Sequence, residues 1–124
     1  MDFQHLTNIA IKAALAAGEI IQKAIRKEVK VIQKEGGNTY ASQVVTKIDF
    51  ECEAVILSYL KPTCKKYDFA LLSEETEDDK SRFDKDFFWC IDPMDGTLAF
   101  INKTPGFSVS IALVSKDGTP QIGV

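Results

Sequence analysis

Trp89-Cys90-Ile91-Asp92-Pro93-Met94-Asp95-Gly96-Thr97-Leu98-Ala99-Phe100 decides how the rest of this chain is read. The apolar run from Phe87 to Ile91 predicts a short buried strand. It empties into two carboxylates, Asp92 and Asp95, three residues apart. Pro93 fixes one backbone angle between them, and Gly96-Thr97 offers exposed backbone N–H groups. Hard cations such as Mg²⁺ take oxygen ligands in rigid geometry, and phosphates take N–H donors. One turn that supplies both suits metal-assisted phosphate chemistry.

A second acidic strand end lies upstream. Phe69 to Leu72 predicts a short strand that runs straight into Ser73-Glu74-Glu75. Ligands of open sheets gather at strand ends. If both strands end at the same edge, at least three carboxylates converge. Without a cation such a cluster is repulsive, and one member takes up a proton. With Mg²⁺ bound all stay ionised, and two ions together would activate water and steady the leaving oxygen of an in-line attack.

Each half of this pattern is ordinary turn chemistry when taken alone. Acidic pairs in loops are usually solvated, and Asp-Pro and Asp-Gly are common turn pairs. Glu77, Asp78 and Asp79 read as solvated loop, and Asp49 alone reads as a helix-capping acid. His5 is the single histidine and sits near a helix start on a polar side, so it reads as surface. No serine–histidine or cysteine–histidine pairing is indicated. The haloacid-dehalogenase type of phosphatase also carries an Asp-Gly-Thr ending. Its two acids are two residues apart, whereas here they are three apart with Pro93 between, and the acidic pair precedes them.

Around the central string, Phe3, Leu6, Ile9, Ala13, Ala17, Ile20 and Ala24 recur at helical spacing and predict one long amphipathic helix that ends in the basic Lys23-Arg26-Lys27 region. Val29, Val31 and Gln33 alternate and predict a short strand, and Lys34 to Tyr40, with Gly36-Gly37-Asn38, a flexible loop. A second helix is expected to start near Thr46 as N-cap, with Ile48, Cys52, Val55 and Tyr59 on one face and Pro62 as its stop. Thr76 to Asp86 reads as a charged loop or helical turn. Phe107, Val109, Ile111 and Leu113 alternate with small and polar residues as a half-buried strand. Lys116-Asp117-Gly118 is a hairpin turn, and Gln121 to Val124 begins the next strand. The chain stops inside that strand, which reads as the front part of a longer protein.

With 124 residues there is enough chain for one domain with a modest core. A net charge of −3 excludes the basic stripe of a nucleic-acid binder, while small anionic substrates stay open because a bound metal reverses the local field. No apolar stretch approaches a membrane span, and no secretory signal opens the chain. Cys52, Cys64 and Cys90 have no zinc-site spacing and read as packed, reduced thiols in a cytoplasmic protein.

The string from Trp89 to Phe100 resembles the first signature of the inositol monophosphatase family of Mg²⁺-dependent, often lithium-sensitive phosphatases. Three weaker pieces stand in family order around it: Val45-Thr46-Lys47-Ile48-Asp49, Leu72-Ser73-Glu74-Glu75, and Phe107 to Leu113. The resemblance covers nearly the whole chain. It implies the α/β layered αβαβα sandwich of that family, here as the N-terminal portion of one domain and incomplete at its C-terminal end. It also implies hydrolysis of a small phosphate monoester by metal-activated water, with two or three Mg²⁺ ions.

By position, the resemblance gives one Mg²⁺ to Glu74, Asp92 and the carbonyl of Met94, and a second to Asp92 and Asp95. Thr97 with Glu74 would orient and deprotonate the water, and the N–H groups of Gly96 and Thr97 would cradle phosphate oxygens. Asp49 would steady Thr97 by a hydrogen bond, and Glu75 would support the site from outside. A further acidic ligand, in a Trp-Asp motif far downstream in family members, is absent from these residues. Ser73, where inositol-type members often have Gly, leans toward the 3′(2′),5′-bisphosphate nucleotidase branch, and the lack of Ser-Pro beside Val45-Thr46 leans away. The expected partner is a small phosphorylated metabolite, with neither a nucleic-acid polymer nor a membrane. Because members are often dimers, a homodimer is allowed. The rival expectation is a non-catalytic piece with an assembly or metal-binding role.

Overall fold

The computed structural model describes residues 1–35, 38–74, 77–95 and 108–124, and for 26–35, 38–46 and 95 the backbone alone. Two long helices, α1 (Phe3–Glu35) and α2 (Asn38–Tyr67), come first. Strand β1 (Ala70–Ser73), a 3₁₀ turn (Ser81–Phe83), and strands β2 (Phe87–Asp95), β3 (Ser108–Ser115) and β4 (Pro120–Gly123) follow. The strands form one sheet in the order β1-β2-β3-β4. β1 and β2 are parallel, and the other two pairings are antiparallel.

Asp2 opens α1 as its cap, its Oδ1 accepting the His5 amide at 3.1 Å. Leu6, Ala10, Ala13, Ala17 and Ile21 then form the buried stripe of α1. Three alanines in that stripe let the helix backbones approach closely. The Cys52 thiol of α2 donates to the Ala17 carbonyl of α1 at 3.6 Å. Both helices lie across one face of the sheet, and their stripes join Trp89, Ile91, Ile111, Leu113 and Ile122 in a single core. The opposite sheet face carries Leu72, Phe88, Cys90, Ala112 and Val114, all half-buried.

Several expectations are corrected. The first helix does not end in the Lys23-Arg26-Lys27 region and Val29 to Gln33 is not a strand, because α1 runs unbroken to Glu35. Extending an existing helix fixes one residue per new hydrogen bond, and two alternating valines do not outweigh that. α2 starts at Asn38 and not near Thr46, so Thr46 is an interior residue and the expected loop at Lys34 to Tyr40 is mostly helix, with Gly36 and Gly37 outside the described residues. Pro62 does not stop α2, which continues to Tyr67. An interior proline removes one helical N–H and costs about 3 kcal/mol. Buried partners on either side hold the helix through it: Leu60 packs in the core, and Thr63 Oγ1 donates to the Leu60 carbonyl at 2.6 Å. Tyr59, assigned to the inner face, is 38% exposed, and the inner stripe runs through Cys52, Glu53, Ile56, Leu60 and Thr63.

The expectations for α1 up to Ala24, for the strands β1 to β4 and for the 116–118 turn are met within a residue or two, except that β2 extends four residues beyond Ile91. Gly118 takes the left-handed φ of 90°, which only glycine adopts without cost. Asp117 organises the same turn by accepting the Thr119 amide at 3.0 Å and the Ser115 hydroxyl. Phe107, Thr76 and residues 98–106 lie outside the described residues.

Burial pushes the Cys52 thiol up from 9.0 to about 12, with the carboxylates of Asp49 and Glu51 adding to it. The native thiol therefore stays protonated where an exposed one ionises. The native state holds its proton more tightly than the unfolded one, so this contribution to stability is complete below pH 9.0 and falls as pH rises to about 12. Iodoacetamide at pH 8.5 is expected to leave Cys52 unlabelled in the native protein and to label it in denaturant. Rapid native labelling would contradict the packing around Ala17.

Candidate metal and phosphate site

The two acidic strand ends meet. β1 and β2 run in the same direction and finish side by side, with Ser73 opposite Ile91. The Glu74 amide then donates to the Ile91 carbonyl at 3.2 Å. The next step of this register sets Glu74 beside Asp92. Ser73 and Ile91 are buried against the helices, so pleat alternation turns Glu74 and Asp92 to the other face. A cleft of about 340 Å³ opens there, lined by Leu72, Ser73, Glu74, Cys90, Ile91 and Asp92. Glu74 is exposed and Asp92 is half-buried, with its Oδ1 atom fully enclosed.

Pro93 marks an irregularity that the three-residue spacing requires. In a regular strand, positions i and i+3 point to opposite faces. Here Asp92 pairs with Ser110 and Asp95 with Ser108, so three steps on β2 match two steps on β3. This is a bulge of one residue. Ser108 and Ser110 share a face of β3, so the register positions of Asp92 and Asp95 share one too. Proline has no N–H to give to a ladder and is at home in such a bulge. Met94 packs its side chain into the core at 3% exposure, which leaves its backbone carbonyl as the oxygen it can offer.

Beneath the strand ends, α2 presents two buried carboxylates one turn apart. Asp49 is 8% exposed and Glu53 is 9% exposed. Ser73 Oγ donates to Glu53 Oε2 at 2.7 Å, a buried bond to a carboxylate. Glu53 was not among the residues singled out from sequence. The available signal was an acid lying in the apolar stripe of α2, between Cys52 and Ile56.

On the cleft wall, burial raises the Cys90 thiol above its ordinary 9.0, the Asp92 carboxylate adds to that, and Arg82 offsets it in part. Arg82, in the 3₁₀ turn, is paired with Asp78 at 3.0 Å.

The expected residues divide by where they fall. Glu74 and Asp92 come together at the strand ends, Met94 stands two residues beyond Asp92 with its side chain in the core, and Asp49 is buried on α2 one turn from Glu53. Asp95 is placed by its backbone, while Glu75, Gly96 and Thr97 lie outside the described residues. Among the described residues, no three acidic, cysteine or histidine side chains gather around one point. The donor set fits a hard cation all the same: two carboxylates on adjoining strand ends, one with an enclosed oxygen. No described helix is long and apolar enough to cross a membrane.

Paired helices thus lie on a mixed sheet, with acids at the ends of two parallel strands. Residues 2–124 match the model of the inositol monophosphatase family, and the chain belongs to that family. It is 40% identical over 123 residues to the inositol-1-monophosphatase of Synechocystis, covering 99% of this chain and 40% of that protein. It is 39% identical to the Nus factor SuhB of Haemophilus influenzae, over 96% of this chain and 42% of that protein. Among solved structures it is similar to CysQ of Bacteroides thetaiotaomicron, a bacterial family member, with 32% identity and a TM-score of 0.78 over 98% of this chain and 42% of that one. The chain thus spans about two fifths of the length of the relatives it matches.

Proposed function

We propose that the protein is a Mg²⁺-dependent phosphomonoesterase acting on a small phosphorylated metabolite, read over the whole protein of which relatives share this segment. The observation that carries the reading is the joint ending of β1 and β2, which sets Glu74 and Asp92 around one cleft. Glu74, Asp92 and the Met94 carbonyl would hold one ion, and Asp92 with Asp95 a second. Bound Mg²⁺ would lower the pKa of water and neutralise charge on the phosphate. Glu74 and Thr97 orient the attacking water, and Glu74 takes its proton. The Gly96 and Thr97 amides would hold phosphate oxygens, Asp49 would steady Thr97, and Glu75 would back the site. The three free thiols fit a reducing, cytoplasmic compartment.

For the substrate, the inositol-1-monophosphatase relative supports an inositol phosphate. Ser73, and the likeness to CysQ, keep a 3′(2′),5′-bisphosphate nucleotide as the alternative. A second reading, an assembly role without turnover, draws on the relatives named as Nus factors. A homodimer fits either role.

Hydrolysis of p-nitrophenyl phosphate and inositol 1-phosphate by the whole protein tests the reading. Activity is expected with Mg²⁺, is lost on chelation and returns on adding Mg²⁺ back. The isolated 124-residue chain is expected to turn over poorly. Absence of metal-dependent hydrolysis by the whole protein would favour the assembly role.

A further inference from the structure

We propose that Glu53 is a positioning residue, which holds the end of β1 through Ser73 and thereby sets the Glu74 carboxylate for cation binding. The inference rests on the metal-dependent reading of the site. β1 is four residues long and, among the described residues, lies at the edge of the sheet with β2 as its one partner. Its last ladder bond is the one from the Glu74 amide to the Ile91 carbonyl. A short edge strand frays at its tip unless something else ties it.

The tie comes from the helix layer. Ser73 faces the helices at 7% exposure, and its hydroxyl reaches Glu53 on α2 at 2.7 Å. The peptide unit between Ser73 and Glu74 is thus held at two points, by β2 in the plane of the sheet and by α2 from beneath. Because side chains alternate, fixing Ser73 against the helices fixes Glu74 toward the cleft. A buried carboxylate that accepts a hydroxyl proton is a costly group to keep in a helix stripe. Isoleucine or leucine there would extend the run of Cys52, Ile56 and Leu60. What the acid adds over an apolar residue is a rigid strand end where Glu74 stands.

This role differs from that of the residues that touch the ion. Glu53 lies on the far side of the sheet from the cleft, and its influence passes through Ser73 and the backbone. Partners that orient a ligand from outside typically change metal affinity by 10–100-fold.

The experiment is a double-mutant cycle read as Mg²⁺ affinity by calorimetry, and as Tb³⁺ luminescence in competition with Mg²⁺, on the whole protein well below its unfolding temperature. Glu53→Ala and Ser73→Ala are each expected to weaken Mg²⁺ binding about 10-fold. The double variant should be no weaker than either single one, because both remove the same link. Glu53→Gln keeps an acceptor oxygen and should restore most of the affinity. Ile56→Val, in the same stripe one turn on, should lower the melting temperature and leave Mg²⁺ affinity unchanged. If Glu53→Ala fails to fold, Glu53→Gln and Ser73→Ala decide alone: Ser73→Ala must weaken binding and Glu53→Gln must nearly retain it. Affinity within about twofold of wild type in folded Ser73→Ala and Glu53→Ala proteins overturns the proposal, as do additive losses. Asp92→Asn separates the two ideas. If it too leaves Mg²⁺ and Tb³⁺ binding unchanged, the metal site itself is refuted; if it abolishes binding while the Glu53 cycle is flat, only the positioning role is.

Discussion

Asp92→Asn is expected to cut turnover of the whole protein more than roughly 100-fold, beyond what losing an outer partner of a metal site costs. Asp92 is the one side chain assigned to both ions. Its Oδ1 atom is enclosed, and the Glu74 position lies beside it across the β1–β2 register. Asn keeps the shape and one carbonyl oxygen but removes the charge that neutralises a cation. The loss should therefore appear as weakened Mg²⁺ dependence with the fold intact. Steady-state kinetics over a range of Mg²⁺ concentrations, with circular dichroism of the variant, reads both. A variant that hydrolyses substrate at near wild-type rate at all Mg²⁺ levels would remove the enzymatic reading.

Trp89→Ala is expected to destabilise the protein by about 3–5 kcal/mol. Trp89 is fully buried in β2. Its indole N–H donates to Thr63 Oγ1 at 2.8 Å, across from the strand to α2 just after Pro62. Its ring meets Phe69 edge-on at 6.3 Å, and its strand neighbours are Leu71 and Leu113. One side chain thus joins three strands to the helix layer and seals the helix turn that proline weakens. Removing it leaves a cavity and strips Thr63 of a donor. Trp89→Phe keeps most of the volume and gives up the hydrogen bond, worth about 1 kcal/mol. Equilibrium urea unfolding measures both. A loss below about 1.5 kcal/mol for the alanine variant would mean that the core repacks around the gap, contrary to the burial described.

What the sequence discloses here follows from the range of the forces involved. Leu6, Ala13 and Ala17 reveal α1 because helical burial repeats over several turns. Phe87 to Ile91 reveals β2 because five consecutive apolar residues beside turn residues leave few other readings. Pro62 misleads because its local cost is outweighed by Leu60, Thr63 and Trp89, which are brought together only by the fold. Val29 and Val31 mislead because a two-step alternation is weaker than the helix arriving from upstream.

The site divides in the same way. Asp92 and Asp95 are legible because a single string carries their chemistry, and Glu74 because it follows directly on a short apolar run. That β1 and β2 are parallel neighbours, ending together, is a pairing choice that neither strand records alone. Glu53 was missed for a related reason. An acid on a helix reads as solvent-facing until a partner for it appears, and Ser73 is twenty positions away.

The extra residue at Pro93 makes the segment between the aspartates a phase shifter for everything downstream. Beyond it, inward and outward exchange places relative to an unbroken pleat, so Asp95 follows the beat of Ser108 rather than its own count from Trp89. Deleting a single residue there would not merely shorten a loop. It would zip β2 evenly along β3 and leave the second acid two steps from the first on the same face, so what disappears is the bulge that holds Pro93 and Met94. The spacing between these two carboxylates therefore sets the path of the backbone between them, where Met94 turns its side chain to the core, while the face they share is kept.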